Sequence, residues 1–524
     1  MEHSNLTKTQ VVIVGAGPTG LSMAAQLIRH NIDFVIIEKN EKTTHLSKAI
    51  AVQARTLEIF QELGIADEAI KRGQLTTGMN LFSKGKRRAS IDLANLGKGL
   101  SEFAFALSLE QSKTEQLLAE YLLKNGKQVQ WNAELSHFEQ DDNGVSVSYK
   151  DKNGTEQKIE ADYLVGCDGA SSLVRHLLGL SFEGSTEAKL FYVADVVLKS
   201  PVIYENRLYM YMIPKGFVLF FPMEGTGHYR IIGVLPEHKD DNHEYSFSEV
   251  EPIIKKGIIS PVDFTALQWF STYKVHSRKA NSFMEKRCFI AGDAAHIHTP
   301  AGGQGMNTGI QDAYNLAWKM AYSLRGEVNN EVLQSYNTER TQNAKRLLNT
   351  TDRMFDIMAG VNGFWNFIRL GFFPIFLMIL SSNNFVKRKI YPLLSQIGIS
   401  YPDSFLTTKS SIGKVKAGDR MHYFVFADGT RGKTELSEAK SIFSYLTEPV
   451  FKLLYFGNNA IENPLDNAEI TMSFHAFNEI PTAIFGSNSD FYVLVRPDNH
   501  ISYIGKDVDE CRKLLNKIKA SANS

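Results

Sequence analysis

The segment from Phe289 to Met320, FIAGDAAHIHTPAGGQGMNTGIQDAYNLAWKM, concentrates residue types that would hold a flat, electron-rich ligand. An apolar strand over Cys288, Phe289, Ile290 and Ala291 runs into Gly292-Asp293. A loop with Pro300, Gly302, Gly303 and Gly305 follows, then a helix whose apolar positions are Ile310, Ala313, Tyr314, Ala317 and Met320. Glycines let the backbone approach a planar ligand closely. A helix start offers unpaired N–H groups and a positive dipole end to an electron-rich ring edge. Asp293, at the strand end, is positioned to accept a ribityl hydroxyl. Together these features select a flavin among the dinucleotides. The expected contacts in this segment are Asp293, Pro300, Gly303, Gly305, Met306 and Asn307.

The other half of such a site lies near the N-terminus. Val11-Val12-Ile13-Val14 is a continuous apolar run, as buried parallel strands are. It meets Gly15-Ala16-Gly17-Pro18-Thr19-Gly20 and then a helix with Leu21, Ala24, Ala25, Leu27 and Ile28 on one side. Strand, G-x-G-x-x-G and helix in that order seat a pyrophosphate on the helix N-terminus. A second strand, Phe34–Ile37, ends in Glu38, the acid expected on the adenosine ribose, with Lys39 beside it. The glycine pattern alone is weak; flanked by both strands and the acid it is specific.

A third block is the strand Tyr163–Cys167 leading to Asp168-Gly169-Ala170, followed by Ser171, Ser172 and Arg175. With these three blocks in this order, the chain resembles the single-component FAD-dependent aromatic hydroxylases, the p-hydroxybenzoate hydroxylase-like monooxygenases. The phrase VLVRPDNHISYIG extends the resemblance to the phenol and polyketide hydroxylases, whose tail is a thioredoxin-like domain. The resemblance implies tightly bound, noncovalent FAD with NADPH (or NADH) as co-substrate. It implies that the Asp168 block serves both cofactors and that Arg55 and Gln111 lie against the flavin. It also implies hydroxylation of an aromatic substrate, phenolic or polyketide-like, by O2 through a C4a-hydroperoxyflavin. Flavin chemistry of this kind needs positioning and exclusion of water more than a protein nucleophile. No catalytic base is assigned: His228 and His276 lie in the substrate segment, but nothing singles out either.

The elements that must position these residues follow from composition and pattern. At 524 residues the chain exceeds a typical single core. The expected fold is α/β. A Rossmann-like FAD-binding domain occupies 1–185, with a second part plus linker helices over 285–400. An antiparallel β-sheet substrate domain is inserted at 186–284, and 401–524 reads as a small α/β module, the thioredoxin-like domain that the resemblance implies. Strands are expected at Phe191–Leu198, Arg207–Ile213, Gly216–Pro222 and Tyr229–Leu235, from β-branched and aromatic runs between turn residues. Tyr209, Tyr211, Phe217, Phe220 and Phe221 make this sheet aromatic-rich, and alternation lets only some of them face the cavity. In the tail, Tyr423–Phe426, Phe451–Phe456, Phe491–Val495 and Ile501–Ile504 read as strands, with a helix over Val508–Ile518. That module has no C-x-x-C, so its role is packing or a homodimer contact.

Other readings are narrowed by the same residues. Zero net charge gives a nucleic-acid partner no electrostatic support. Three scattered cysteines form no metal pattern and suit a reducing cytosol, and the N-terminal MEHSNLTKTQ lacks a signal layout; the expected location is cytoplasmic. His296-x-His298 lacks a third ligand at metal spacing, so no metal is expected and His296 is assigned to shaping the flavin loop. The run Phe364–Leu380 is the most apolar in the chain. Asn366, Arg369 and Pro374 interrupt it, which favours buried or substrate-facing helices over a membrane anchor. Besides aromatic hydroxylation, two further functions fit: oxidative inactivation of a tetracycline- or rifamycin-type antibiotic, and a flavin-bearing scaffold. The phenylalanine- and tyrosine-rich lining favours an apolar ring-bearing substrate, since a small benzoate would call for a placed arginine.

Overall fold

The computed structural model describes residues 7–44, 49–214, 216–235, 243–258, 260–299, 303–360, 363–382, 384–426 and 440–520. Pro300 and Gly302, expected at the flavin, lie outside the described residues.

Continuous apolar runs become the centre of a mostly parallel sheet. Thr7–Val14 pairs in parallel with Phe34–Glu38 on one side and Glu156–Gly166 on the other, and Cys288–Ile290 continues beside the latter. Val11, Val12 and Ile13 have no exposed surface because both faces of the sheet are covered. The helix Pro18–Arg29 begins with proline in its first turn, where the missing N–H costs no helical bond. It packs against the 20-residue helix Gly305–Leu324, which is buried along almost its whole length.

The second sheet pairs eight strands among the described residues and includes the segment expected to cover the substrate. Arg207–Ile213 and Gly216–Pro222 form where their residues predict, and His228–Val234 is displaced by one residue. Two departures matter. The strand expected over Phe191–Leu198 runs from Phe182 to Lys199, and it pairs with an equally long strand, Asp263–Ala280, that no local pattern announced. Residues 263–274 of the latter are exposed or half-buried, so their sequence lacks the apolar alternation of a covered strand. The sheet also recruits Gly78–Ser83 and Lys86–Asp92 from the N-terminal third, Gly78–Ser83 joining in parallel to Arg207–Ile213.

The C-terminal module holds a four-stranded sheet in the order Met472–Phe477, Phe451–Phe456, Phe491–Val495, Ile501–Gly505, flanked by the helix Val508–Ile518. Tyr423–Phe426 does not form the expected strand; only a single bridge joins Val425 to Ser441. Its rings are used for packing instead, with Phe424 against Phe456 and Phe426 stacked on Phe477.

The apolar run is split between two faces. It forms a helix Gly363–Phe367, a π-helical turn Ile368–Phe372 and a helix Phe373–Ser382. Leu370 and Phe373 pack against the substrate sheet, whereas Phe364, Phe367, Phe372, Ile375, Phe376 and Ile379 are exposed. The expectation of buried helices therefore holds for the inner face alone. No helix among the described residues is long and apolar enough to cross a membrane.

Candidate cofactor and substrate site

The three blocks meet at the carboxyl ends of the parallel strands, where ligands bind in open α/β sheets. Gly15 has φ +102°, and a Cβ there would sit 2.4 Å from the Cys167 carbonyl oxygen, so only glycine lets the first block touch the second. A Cβ at Gly20 would lie 1.9 Å from the Gly15 carbonyl oxygen. Gly17 differs. Its φ is −72°, open to any residue, and a Cβ would meet no protein atom within 4 Å. Neither conformation nor packing accounts for a glycine here, and the open space at the helix N-terminus is of the kind that would accommodate the pyrophosphate of FAD. Glu38 sits at the end of its strand, accepting a hydrogen bond from the Ala16 N–H at 2.8 Å and another from the Asn40 N–H. Pro18 begins the helix, and Lys39 is exposed beside Glu38.

Thr19 brings in the third block. A Cβ at Gly292 (φ +62°) would fall 2.4 Å from the Thr19 hydroxyl oxygen, and one at Gly309 would fall 2.3 Å from it. The hydroxyl side chain is thus wedged between the turn that follows the strand Cys288–Ile290 and the helix Gly305–Leu324. Asp293 projects from that turn as an exposed carboxylate, while Gly292 and Ala294 on either side are buried. Behind the turn, the Asp312 carboxylate accepts from the Gly292 N–H (2.9 Å), is paired with His296 Nε2 (2.7 Å), and accepts from Arg340 Nε (2.6 Å). Burial is the largest single influence and opposes its charge, but the Arg340 guanidinium, His296 and the Gly292 N–H together outweigh it and hold Asp312 down to about 2. His296 therefore braces this turn from behind through Asp312. Asp312 and Arg340 escaped the sequence reading. An acid at a core-facing helical position was the available signal, but its partner lies 28 residues away.

Asn307 ties the loop to the segment at 49–56. Its side-chain oxygen accepts from the Gln53 N–H (2.9 Å) and the Thr56 hydroxyl (2.7 Å), while its amide nitrogen donates to the Ala51 (2.8 Å) and Gly303 (2.9 Å) carbonyls. Gly303 has φ +62° and faces Ala51, Gly305 abuts His298, and Met306 packs on the domain core. Gln111 opens the helix Gln111–Lys124, donates its backbone N–H to the Ala49 carbonyl (3.1 Å), and its side chain donates to Glu115. Burial pushes Glu115 up to about 7.

Other expected contacts are engaged elsewhere. The Asp168 carboxylate accepts from the Ser172 hydroxyl and the Val174 N–H, and so caps a short helix. Arg175, expected to meet the nicotinamide, is buried; it donates to the Ala294 and Ala170 carbonyls and lies over the Phe182 ring. Arg55 is also buried. Its guanidinium donates to Glu58 (3.0 Å) and to the Asp498 carbonyl of the C-terminal module (2.7 Å). His228 and His276 engage the Glu224 carbonyl and the Thr186 hydroxyl.

Alternation sorts the aromatic residues of the substrate sheet. Tyr209, Tyr211 and Phe220 pack toward the helix Phe247–Gly257, whereas Phe217 and Phe221 lie on the opposite face with Met210, Met212 and Trp269. That second face also carries Arg230, whose guanidinium is paired with Asp195 and donates to the Ala49 carbonyl at 3.2 Å. Ala49 is the residue bonded to Gln111, so this face abuts the segment that Asn307 holds. The sequence reading missed Arg230 and Asp195. A charged residue in an apolar strand was the only sign, and the pair is separated by 35 residues.

Residues 8–351 match the model of a family described as FAD binding domain. The chain is 30% identical over 494 residues to 6-methylpretetramide 4-monooxygenase of Streptomyces rimosus, covering 94% of this chain and 86% of that protein. It is 32% identical over 357 residues to pentachlorophenol 4-monooxygenase of Sphingobium chlorophenolicum, covering 67% and 65%. The structure of an anhydrotetracycline hydroxylase from Streptomyces rimosus is 25% identical and superposes with a TM-score of 0.78 over 98% of this chain and all of that one. With its nucleotide cradle, paired loop and covered sheet, this chain belongs to the FAD-binding-domain family of p-hydroxybenzoate hydroxylase-like flavoprotein monooxygenases.

Proposed function

We propose that the chain hydroxylates a large, apolar, ring-bearing compound, phenolic or polyketide-like, using O2 and NADPH in the cytoplasm. FAD, when bound, accepts hydride and activates oxygen. The protein's part is to hold, orient and dry the site. The open space at Gly17 and the N-terminus of Pro18–Arg29 take the pyrophosphate, and Glu38 takes the adenosine ribose. Asp293, Gly303, Gly305, Met306 and Asn307 take the ribityl chain and ring. Asp168 retains a role in turning the chain beneath the nucleotide. Three buried, unpaired cysteines accord with a reducing compartment.

The substrate reading rests on one observation: the face of the sheet that carries Arg230 is apolar and methionine-rich, and its buried arginine is already paired with Asp195. A carboxylated substrate would have to displace Asp195 to use Arg230, whereas a polycyclic ring needs only the apolar face. Methionines adapt to irregular ring systems. Relatives acting on 6-methylpretetramide and pentachlorophenol fit this chemistry. The decisive experiment screens phenols and polycyclic polyketides for faster NADPH-dependent flavin bleaching, with one oxygen added to the product. Stimulation by small benzoates alone would overturn the substrate class and leave the enzyme class intact. Destruction of a tetracycline or rifamycin with oxygen uptake would instead establish the antibiotic-inactivating reading.

A further inference from the structure

The segment Gly363–Ser382 presents a surface that the site does not use. Phe364, Phe367, Phe372, Ile375, Phe376 and Ile379 are each 50–64% exposed, whereas the chain's other exposed large apolar residues are mostly scattered singly. Isolated exposed apolar side chains are ordinary; a contiguous set along one helical face marks a binding surface. The opposite face is fixed. Leu370 and Phe373 pack on the cluster that includes Leu81 and Ile91 of the substrate sheet. Arg369, with no exposed surface, donates to the Met358, Gly360 and Pro214 carbonyls. The outer stripe is therefore held out by a firm inner one.

The charge around this stripe is one-sided. Between Ile357 and Pro402 there is no aspartate or glutamate, while Lys387, Arg388 and Lys389 follow the stripe, Arg388 and Lys389 both exposed. The neighbouring strand Lys86–Asp92 packs against the helix Phe373–Ser382, and Lys84 of the turn before it and Lys86, Arg87 and Arg88 at its start are all exposed. The Ser83 hydroxyl donates to the Leu370 carbonyl at 3.2 Å and pins this basic hairpin beside the π turn. An apolar helical face bordered by cations is the chemistry of an interfacial helix on an anionic bilayer. A second copy of the chain fits less well, because a two-fold contact would bring the two basic borders together.

We propose that the face formed by residues 364–379, bordered by the Lys84–Arg88 hairpin and Arg388–Lys389, docks the enzyme peripherally on an anionic phospholipid surface. The inner side of the same segment covers the substrate sheet, so docking would bring a lipophilic ring compound to the enzyme from the bilayer. That consequence rests on the proposed substrate class; the docking itself does not.

Flotation of the FAD-loaded full-length protein with vesicles tests this without turnover, so its failure is separable from failure of the substrate reading. The protein is expected to float with phosphatidylcholine vesicles containing phosphatidylglycerol, to bind pure phosphatidylcholine far less, and to be released by salt. The double variant Phe372→Ser/Phe376→Ser should weaken partitioning at least about tenfold. The separate hairpin variant Lys86→Gln/Arg87→Gln should weaken it about fivefold for each cation removed. Both should keep their flavin and melting temperature, since the altered side chains are exposed. No flotation with anionic vesicles, or flotation unaffected by either variant, overturns the proposal. So does a dimer in sedimentation equilibrium that Phe372→Ser/Phe376→Ser splits, which would assign the face to a second copy.

Discussion

Arg230 and Asp195 meet side by side across two antiparallel strands, Nε to Oδ1 at 2.7 Å and Nη2 to Oδ2 at 2.6 Å. The guanidinium has no exposed surface and the carboxylate very little. The pair also reaches the cofactor side of the molecule through the Arg230 contact with the Ala49 carbonyl. Removing one partner leaves the other charged and desolvated. Asp195→Ala is therefore expected to destabilise the protein by about 3–5 kcal/mol, whereas Asp195→Leu with Arg230→Met should recover most of that loss. Thermal melts of Asp195→Leu, Arg230→Met and the double variant make the comparison; an additive double variant would show that the pair is not coupled.

Gly17 and Gly20 should fail in different ways. Gly17→Ala meets no protein atom and no forbidden backbone angle. It should fold with a normal melting temperature as apoprotein yet retain much less FAD. Gly20→Ala drives a methyl into the Gly15 carbonyl and should lower the yield of folded protein. Flavin-to-protein absorbance ratios, read beside circular dichroism, distinguish the two. Full flavin retention in Gly17→Ala would remove the pyrophosphate from that space.

Asn307 makes four hydrogen bonds with fixed donor and acceptor ends. Asn307→Asp places a carboxylate oxygen against the Ala51 and Gly303 carbonyls, which accept but cannot donate. The expected cost is about 1–3 kcal/mol for each buried group left unmatched. Loosening the loop that excludes water should also raise hydrogen peroxide release per NADPH consumed. Peroxide yield and product yield, measured together under saturating substrate, report the change.

His298 lends the flavin loop a dependence on acid. Burial lowers its pKa from 6.5 to about 4, its Nδ1 meets the Thr299 carbonyl at 2.8 Å, and no partner for Nε2 occurs among the described residues. Between pH 6.5 and 4 the unfolded chain binds a proton that the folded one refuses. Stability from this group is therefore complete above pH 6.5 and lost as pH falls toward 4, with a slope of at most about 1.4 kcal/mol per pH unit. His298→Gln should flatten that part of the stability profile in denaturant titrations across the window. An unchanged slope would place the acid sensitivity elsewhere.

The sequence by itself determined the three cofactor blocks, most of the strands and helices that carry them, and the membership of this chain in its family. Those features are local. Apolar runs, the G-x-G-x-x-G turn and the acid at the end of Phe34–Glu38 are each encoded within a few residues, so periodicity and turn chemistry reveal them. The helix Gly305–Leu324 was legible for the same reason. Tertiary structure decided the rest. Alternation gave Tyr209, Tyr211, Phe217, Phe220 and Phe221 two faces, but only the helix Phe247–Gly257 lying on one side assigned each ring to a side. Arg55 reads in the sequence as a residue near the flavin, and only the tertiary structure joins its guanidinium to the Asp498 carbonyl, 443 residues away. Glu339 and Arg496 form a buried pair at 2.7 Å that joins the C-terminal module to the cofactor domain, and no local pattern announces it. The run Phe364–Leu380, the most apolar in the chain, read as buried or substrate-facing helices, yet the sheet covers its inner side and leaves Phe364, Phe367, Phe372, Ile375, Phe376 and Ile379 exposed. Local sequence fixes what an element is; which of its faces is covered, and which distant charge it meets, depends on surfaces that exist only once the layers have packed.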